Sequence, residues 1–217
     1  MNNLVAIEGV LVTVILTDLL LLGSSRLRTC IRMVAIQGVV AGLLPLLLHY
    51  AEHPARAWLL AAGSVAIKGV VFPLLLIRVL RDVGVRREVE PFIGYILSLM
   101  AGVAALTLSL WVGSRLIVPG TPAASSLMIP AGLATILIGL EVIVTRRKAV
   151  SQVLGYIVVE NGIYVFGVAL VGKVPALVEL GVLMDAFVAV FLMAIAIHHI
   201  SREFDHTDVD RLDQLKG

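Results

Sequence analysis

Seven ionisable side chains stand inside stretches that are otherwise apolar: Glu8, Asp18, Lys68, Glu141, Glu160, Glu179 and Asp185. A charge at the centre of a membrane helix costs about 2.5–3.5 kcal/mol, so such groups usually face protein or water and serve a function. Depth sorts the seven. Glu160 lies ten residues into a 22-residue apolar run, Lys68 eleven residues into the third run and Asp185 nine residues into the last. All three fall near a midplane. Desolvation favours the neutral form of a carboxyl group, whereas a nearby cation favours the charged form. Two acids and a base at one depth are therefore the parts of a proton relay. The plainer alternative is a static buried ion pair that pins helices. Glu141 is four residues from the end of its run, where it is placed either to join the relay or to pair with the following Arg146, Arg147 and Lys148. Glu179 lies in the first third of the last run, Asp18 toward the end of the first, and Glu8 near a solvated helix end.

Glu160 has polar neighbours in the sequence. Tyr156 and Tyr164 stand at i−4 and i+4, on the same helix face. Asn161 is adjacent. Both tyrosines could hydrogen-bond the carboxyl group or waters beside it, or simply pack as two aromatics. Asp185 and Glu179 are six residues apart, hence about 120° apart around a helix, and cannot both face one neighbour.

The elements that carry these residues follow from composition. Of 217 residues, 59 % are hydrophobic and only 15 % are Asp, Glu, Lys or Arg. Only lipid can cover that much apolar surface, which excludes a soluble domain and a disordered chain. Aromatics at 6 %, with no alternating strands, argue against an outer-membrane barrel. A bilayer core about 30 Å thick needs ~20 apolar residues per helix. Seven such runs occur, at 3–23, 31–50, 57–78, 91–112, 123–145, 150–171 and 176–198. The first has no basic segment before it and holds Glu8 and Asp18, so it reads as a retained helix rather than a signal peptide. Thirteen Lys and Arg residues fall in alternate loops and the tail on one side, against Arg56, Arg115 and Lys173 on the other. The basic side is cytoplasmic. The expectation is an all-α polytopic integral membrane protein with seven transmembrane helices, N-terminus outside and C-terminus cytoplasmic.

Prolines and glycines punctuate the runs. Pro91, Pro122 and Pro175 sit at helix starts, where a missing N–H costs nothing. Pro45, Pro73 and Pro130 lie within runs and predict kinks. Gly38 and Gly42 form a GxxxG pair, which marks either a close helix contact or a coincidence in a chain with 19 glycines.

Other chemistry finds no support. One cysteine, Cys30, excludes a disulfide framework and Cys-based iron–sulfur or zinc sites built from this chain alone. There is neither a phosphate-binding G-x-x-x-x-G-K-[ST] nor an H-E-x-x-H. His49 and His53 sit at a run end and His198 and His199 at the other face, which does not suit a haem between helices. A retinal protein would want its lysine in the last helix, not at Lys68. No cofactor is expected. In the tail, Thr207 could cap a short helix with Val209, Leu212 and Leu215 on one stripe, suited to docking a cytoplasmic partner.

The stretch at 137–167, L-I-G-L-E-V-I-V-T-R-R-K-A-V-S-Q-V-L-G-Y-I-V-V-E-N-G-I-Y-V-F-G, resembles the small K-type membrane subunit of respiratory complex I and the related C subunit of Mrp-type antiporters. Those families have three spans. With four more ahead, with P-A-L-V-E-L-G-V-L-M-D at 175–185 and with the acidic tail, the layout looks like hydrogenase-4 component E, a membrane subunit of group 4 nickel–iron hydrogenases and formate hydrogenlyase-type complexes. The resemblance implies a four-helix part at 1–113, a K-like three-helix part at 123–199 and a cytoplasmic tail at 200–217. By the Glu-Asn step and the preceding basic turn, it carries the family's central relay glutamate onto Glu160. Asp185 or Glu179 would be the next acid. Lys68 has no K-type counterpart.

The expected role is a non-catalytic subunit of a bacterial or archaeal cytoplasmic-membrane hydrogenase complex, on a proton or Na⁺ path. Expected partners are antiporter-like membrane subunits, other membrane-arm subunits and, through residues 200–217, a peripheral hydrogenase arm. Two rivals stand beside it: a subunit of an Mrp-like cation/proton antiporter without hydrogenase, and a purely structural adaptor of the membrane arm.

Overall fold

The computed structural model describes residues 2–49, 54–82, 92–116, 126–146 and 148–170. All of its regular elements there are helical: α1 (Asn2–Gly23), α2 (Leu27–Gly42), α3 (Leu44–His49), α4 (Pro54–Ala66), a π-helical stretch Ile67–Val71, α5 (Phe72–Asp82), α6 (Tyr95–Arg115), α7 (Met128–Thr145) and α8 (Ala149–Leu170). Six helical units are long and apolar enough to cross a membrane: Asn3–Gly23, Leu27–Leu48, Ala61–Arg78, Tyr95–Arg115, Met128–Thr145 and Val150–Ala169. They correspond to the first six expected runs. The seventh run at 176–198, with Glu179 and Asp185, and the tail at 200–217 lie outside the described residues.

The prolines act at two of the three expected places. Before Pro45 the second span breaks at Leu43, between α2 and α3. Pro73 has no N–H to offer the carbonyl of Gly69, and its ring would strike that carbonyl. Just upstream the helix widens, and the N–H of Phe72 reaches back five residues to the Ile67 carbonyl. Pro130 does not kink a helix. α7 begins at Met128, not at 123, so Pro130 falls in the first turn, where its missing N–H is no loss.

Glycines set how closely helices approach. A Cβ on Gly139 would lie 2.7 Å from the backbone nitrogen of Val159 and 2.9 Å from the carbonyl oxygen of Gly155. One on Gly162 would lie 2.9 Å from the Gly132 carbonyl oxygen. α7 and α8 thus run antiparallel in backbone contact, with glycines two turns apart on each. The Gly38 and Gly42 pair is a true contact face: a Cβ on Gly38 would meet the Lys68 Cβ at 2.7 Å, and one on Gly42 the Ser64 Oγ at 2.8 Å.

The buried apolar residues divide into two clusters. One contains Leu21, Val34, Ile138 and Val158, the other Val14, Ala41, Ala131 and Val165. α1, α2, α7 and α8 each contribute to both. Between the two clusters each of these helices places buried polar residues: Asp18, Gln37, Thr135, and Glu160 with Asn161. The bundle is layered as apolar, polar, apolar. Outward faces carry Val5, Leu16, Ile96, Met100, Trp111 and Val144, all exposed, as suits contact with lipid or apolar partners.

Candidate functional site

The polar layer is a connected set of side chains. Lys68, on the π-helical stretch, forms an ion pair with Glu160 on α8. Its Nζ also donates to Asn161 Oδ1 at 3.1 Å and lies 4.8 Å from the centre of the Tyr164 ring. Asn161 Nδ2 donates to Gln37 Oε1 at 3.1 Å, and Gln37 Nε2 donates to Asp18 Oδ1 at 2.6 Å. Thr135 donates to the second Asp18 oxygen at 2.7 Å. Asp18, Thr135, Glu160 and Asn161 are fully buried, Gln37 is 1 % exposed and Lys68 2 %.

Local sequence explains how the parts meet. Gly38 leaves the α2 face open for the lysine stem, and Gly69 lets the same turn approach Val39. The widening before Pro73 carries Lys68 itself, and π-helical turns recur at functional positions. A lysine stripped of water needs both a counter-charge and hydrogen bonds. Glu160 supplies the first and Asn161 one of the second.

The expected residues separate in space. Glu160, Lys68, Asn161 and Tyr164 come together. Tyr156 lies at the surface, 36 % exposed, and the i±4 relation to Glu160 does not bring both tyrosines inward. Glu141 is apart from the layer, nearer the basic turn, and accepts a hydrogen bond from Ser98 Oγ of α6 at 2.7 Å. Arg146, the first of the three basic residues beside it, is buried, donates to the Leu22 carbonyl at 2.9 Å and lies over the Tyr95 ring. Glu8 is exposed. Asp185 and Glu179 are outside the described residues. Among the described residues no group of three or more His, Cys, Asp or Glu is placed to hold a metal ion.

Gln37 and Thr135 join the site although nothing in the sequence analysis singled them out, and Asp18 joins it although its depth, toward the end of the first run, had set it apart from the central three. A signal existed for two of them. Gln37 is the one amide in the second run, and Asp18 is an acid well inside the first.

Comparison with known proteins places the chain. A family model described as NADH-ubiquinone/plastoquinone oxidoreductase chain 4L matches residues 127–217. "Uncharacterized protein Rv0085" of Mycobacterium tuberculosis is 30 % identical over 203 residues, covering 93 % of this chain and 92 % of that protein. Hydrogenase-4 component E of Escherichia coli and that of Shigella flexneri are each 38 % identical over 85 residues, 39 % of this chain and 39 % of theirs. The chain belongs to one family with the mycobacterial protein and is a hydrogenase-4 component E homologue. No solved structure matches it.

In this homologue the chain 4L segment starts one residue before α7. Glu141, Glu160 and Asn161 lie inside it. Asp18, Gln37 and Lys68 lie ahead of it, so the polar layer joins the two parts. The homology makes the protein a membrane subunit of a complex I-like assembly, with membrane-arm partners.

Proposed function

We propose that the protein is a membrane-arm subunit of a group 4 nickel–iron hydrogenase-type complex, in which Glu160 and Lys68 take part in proton, or Na⁺, translocation. The observation that carries this is the buried Lys68–Glu160 pair, set in a polar layer between two apolar ones. A buried ion pair is a poor stabiliser, because desolvation offsets most of its attraction. Apolar side chains would hold these helices as well, so function is the better reason for its presence. Glu160 serves as the central relay carboxylate and Lys68 as its charge partner. Glu141 links the layer toward the basic loops, and Asp185 or Glu179 is the next acid. Tyr164 and Asn161 support the pair, with Tyr156 at the outer surface.

The chain divides into a four-helix part at 1–113, a K-like part at 123–199 and a tail at 200–217. The excess of basic residues orients the tail toward the cytoplasm of a bacterial or archaeal cell. The tail then reaches the peripheral hydrogenase arm, and the apolar outer faces meet antiporter-like subunits and lipid.

The test is ion translocation by the whole complex in vesicles, wild type against Glu160→Gln at equal assembly. Loss of translocation with the complex intact is expected. Unchanged translocation sinks the relay and leaves a structural adaptor. Purification of the chain with antiporter subunits but no nickel–iron subunit would overturn the hydrogenase assignment in favour of an Mrp-like antiporter.

A further inference from the structure

We infer that Asp18 is a positioning residue for the Lys68–Glu160 pair, acting through the two amides Gln37 and Asn161. A primary amide has one end that only donates and one that only accepts. Asp18 Oδ1 takes the Gln37 amino group at 2.6 Å, which turns Gln37 Oε1 toward Asn161. That oxygen accepts from Asn161 Nδ2 at 3.1 Å, which turns Asn161 Oδ1 toward Lys68. An ammonium can only donate, and it does so to that oxygen at 3.1 Å. The two ends of the chain thus agree on one polarity. If Gln37 turned over, donor would face donor at Asn161 or Asn161 would turn as well. The second case aims an amino group at the lysine. Thr135 holds the far oxygen of Asp18 at 2.7 Å, and the Val14 carbonyl lies 3.5 Å from Gln37 Nε2. Gln37 is therefore held from α1 as well as from α8.

Amides pass on the polarity of hydrogen bonds but carry no titratable proton of their own. Asp18 is thereby coupled to Lys68 without exchanging protons with it. It keeps an oxygen, rather than an amino group, facing the lysine, and so holds the ammonium in place beside Glu160. The functional meaning rests on the translocation reading above; the physical coupling does not.

The test uses the full chain in lipid nanodiscs with Lys148, Lys173 and Lys216 changed to Arg, so that isotope-labelled lysine reports the Lys68 Nζ resonance alone. Asp18→Asn is expected to move that resonance by more than its linewidth. Thr135→Val, a smaller change at the same carboxyl group, is expected to move it less but in the same direction. With Gln37→Leu already present, Asp18→Asn should add nothing, because the chain is cut. Should Asp18→Asn fail to fold, Thr135→Val with and without Gln37→Leu carries the test. A resonance unmoved by either change in folded protein overturns the inference and leaves Asp18 as a local anchor for Thr135 and Gln37. In the whole complex, Asp18→Asn should lower translocation by about two- to thirty-fold at equal assembly, the usual range for remote coupling. If Glu160→Gln leaves translocation intact while the resonance still moves, the coupling stands and only the proposed function falls.

Discussion

Lys68 and Glu160 stabilise each other mainly by sparing each other an unpaired buried charge. Removing one partner should therefore cost more than removing both. Lys68→Met is expected to destabilise the protein by about 3–5 kcal/mol, because it leaves a carboxylate in the core. Lys68→Met with Glu160→Leu should recover most of that loss. Denaturant unfolding of the purified protein in detergent checks both. A double variant as weak as the single one would mean that the two groups are not paired. At this same scale the sequence indicated the chemistry well: both residues stood out by charge at mid-depth. It undervalued Asp18, because depth within one helix does not say which neighbours meet it. It passed over Thr135, whose hydroxyl resembles many that simply bond their own helix, as Thr13 does to the Gly9 carbonyl.

At the scale of the element, glycine decides spacing and proline decides shape. Gly139→Val would press a side chain into the Val159 backbone and the Gly155 carbonyl. It should cost about 1–3 kcal/mol, as overpacked cores do, and lower the unfolding midpoint. Gly63→Ala meets nothing within 4 Å and should be neutral or stabilising by up to about 1 kcal/mol, since alanine is the better helix former. Equal effects at the two positions would count against the backbone contact of α7 with α8. Pro73→Ala restores an N–H and removes the ring clash, so the turn at Ile67–Val71 is expected to tighten to an ordinary α-helix. Each residue of an α-helix turns by about 100°, so the change should swing Lys68 off its partners. The lysine resonance would report it. The sequence marked Pro45 and Pro73 as sources of irregularity. It misjudged Pro130 because an apolar run does not show where the first hydrogen-bonded turn begins.

Across the whole molecule, helices before and after residues 117–125 share one polar layer. Two separate chains, 1–120 and 121–217, expressed together should therefore associate in the membrane. α1 packs on α7 and α2 on α8, and the Lys68–Glu160 pair crosses the same boundary. Recovery of the complex on an affinity tag should fall when Asn161→Leu or Lys68→Met is introduced. Association that ignores both changes would show that apolar packing alone joins the halves.

The sequence by itself determined that this is a bundle of membrane helices. Burying a backbone in lipid demands helices about 20 residues long, and composition leaves no other way to cover the apolar surface. It also determined which residues were costly enough in lipid to need a reason, and its motif at 137–167 pointed to the family. Tertiary structure alone decided which of those residues meet. Lys68 and Glu160 are ninety-two positions apart, and Asp18 and Thr135 are further apart still. Each lies on a different helix, and a helix's rotation and height against its neighbours are set by packing. Here that packing comes from Gly38 beside Lys68, from the glycine pairs of α7 and α8, and from two apolar layers that leave one depth for polar groups to pair. Pattern along one chain segment fixes its own faces, and only contact between segments fixes which faces look at each other.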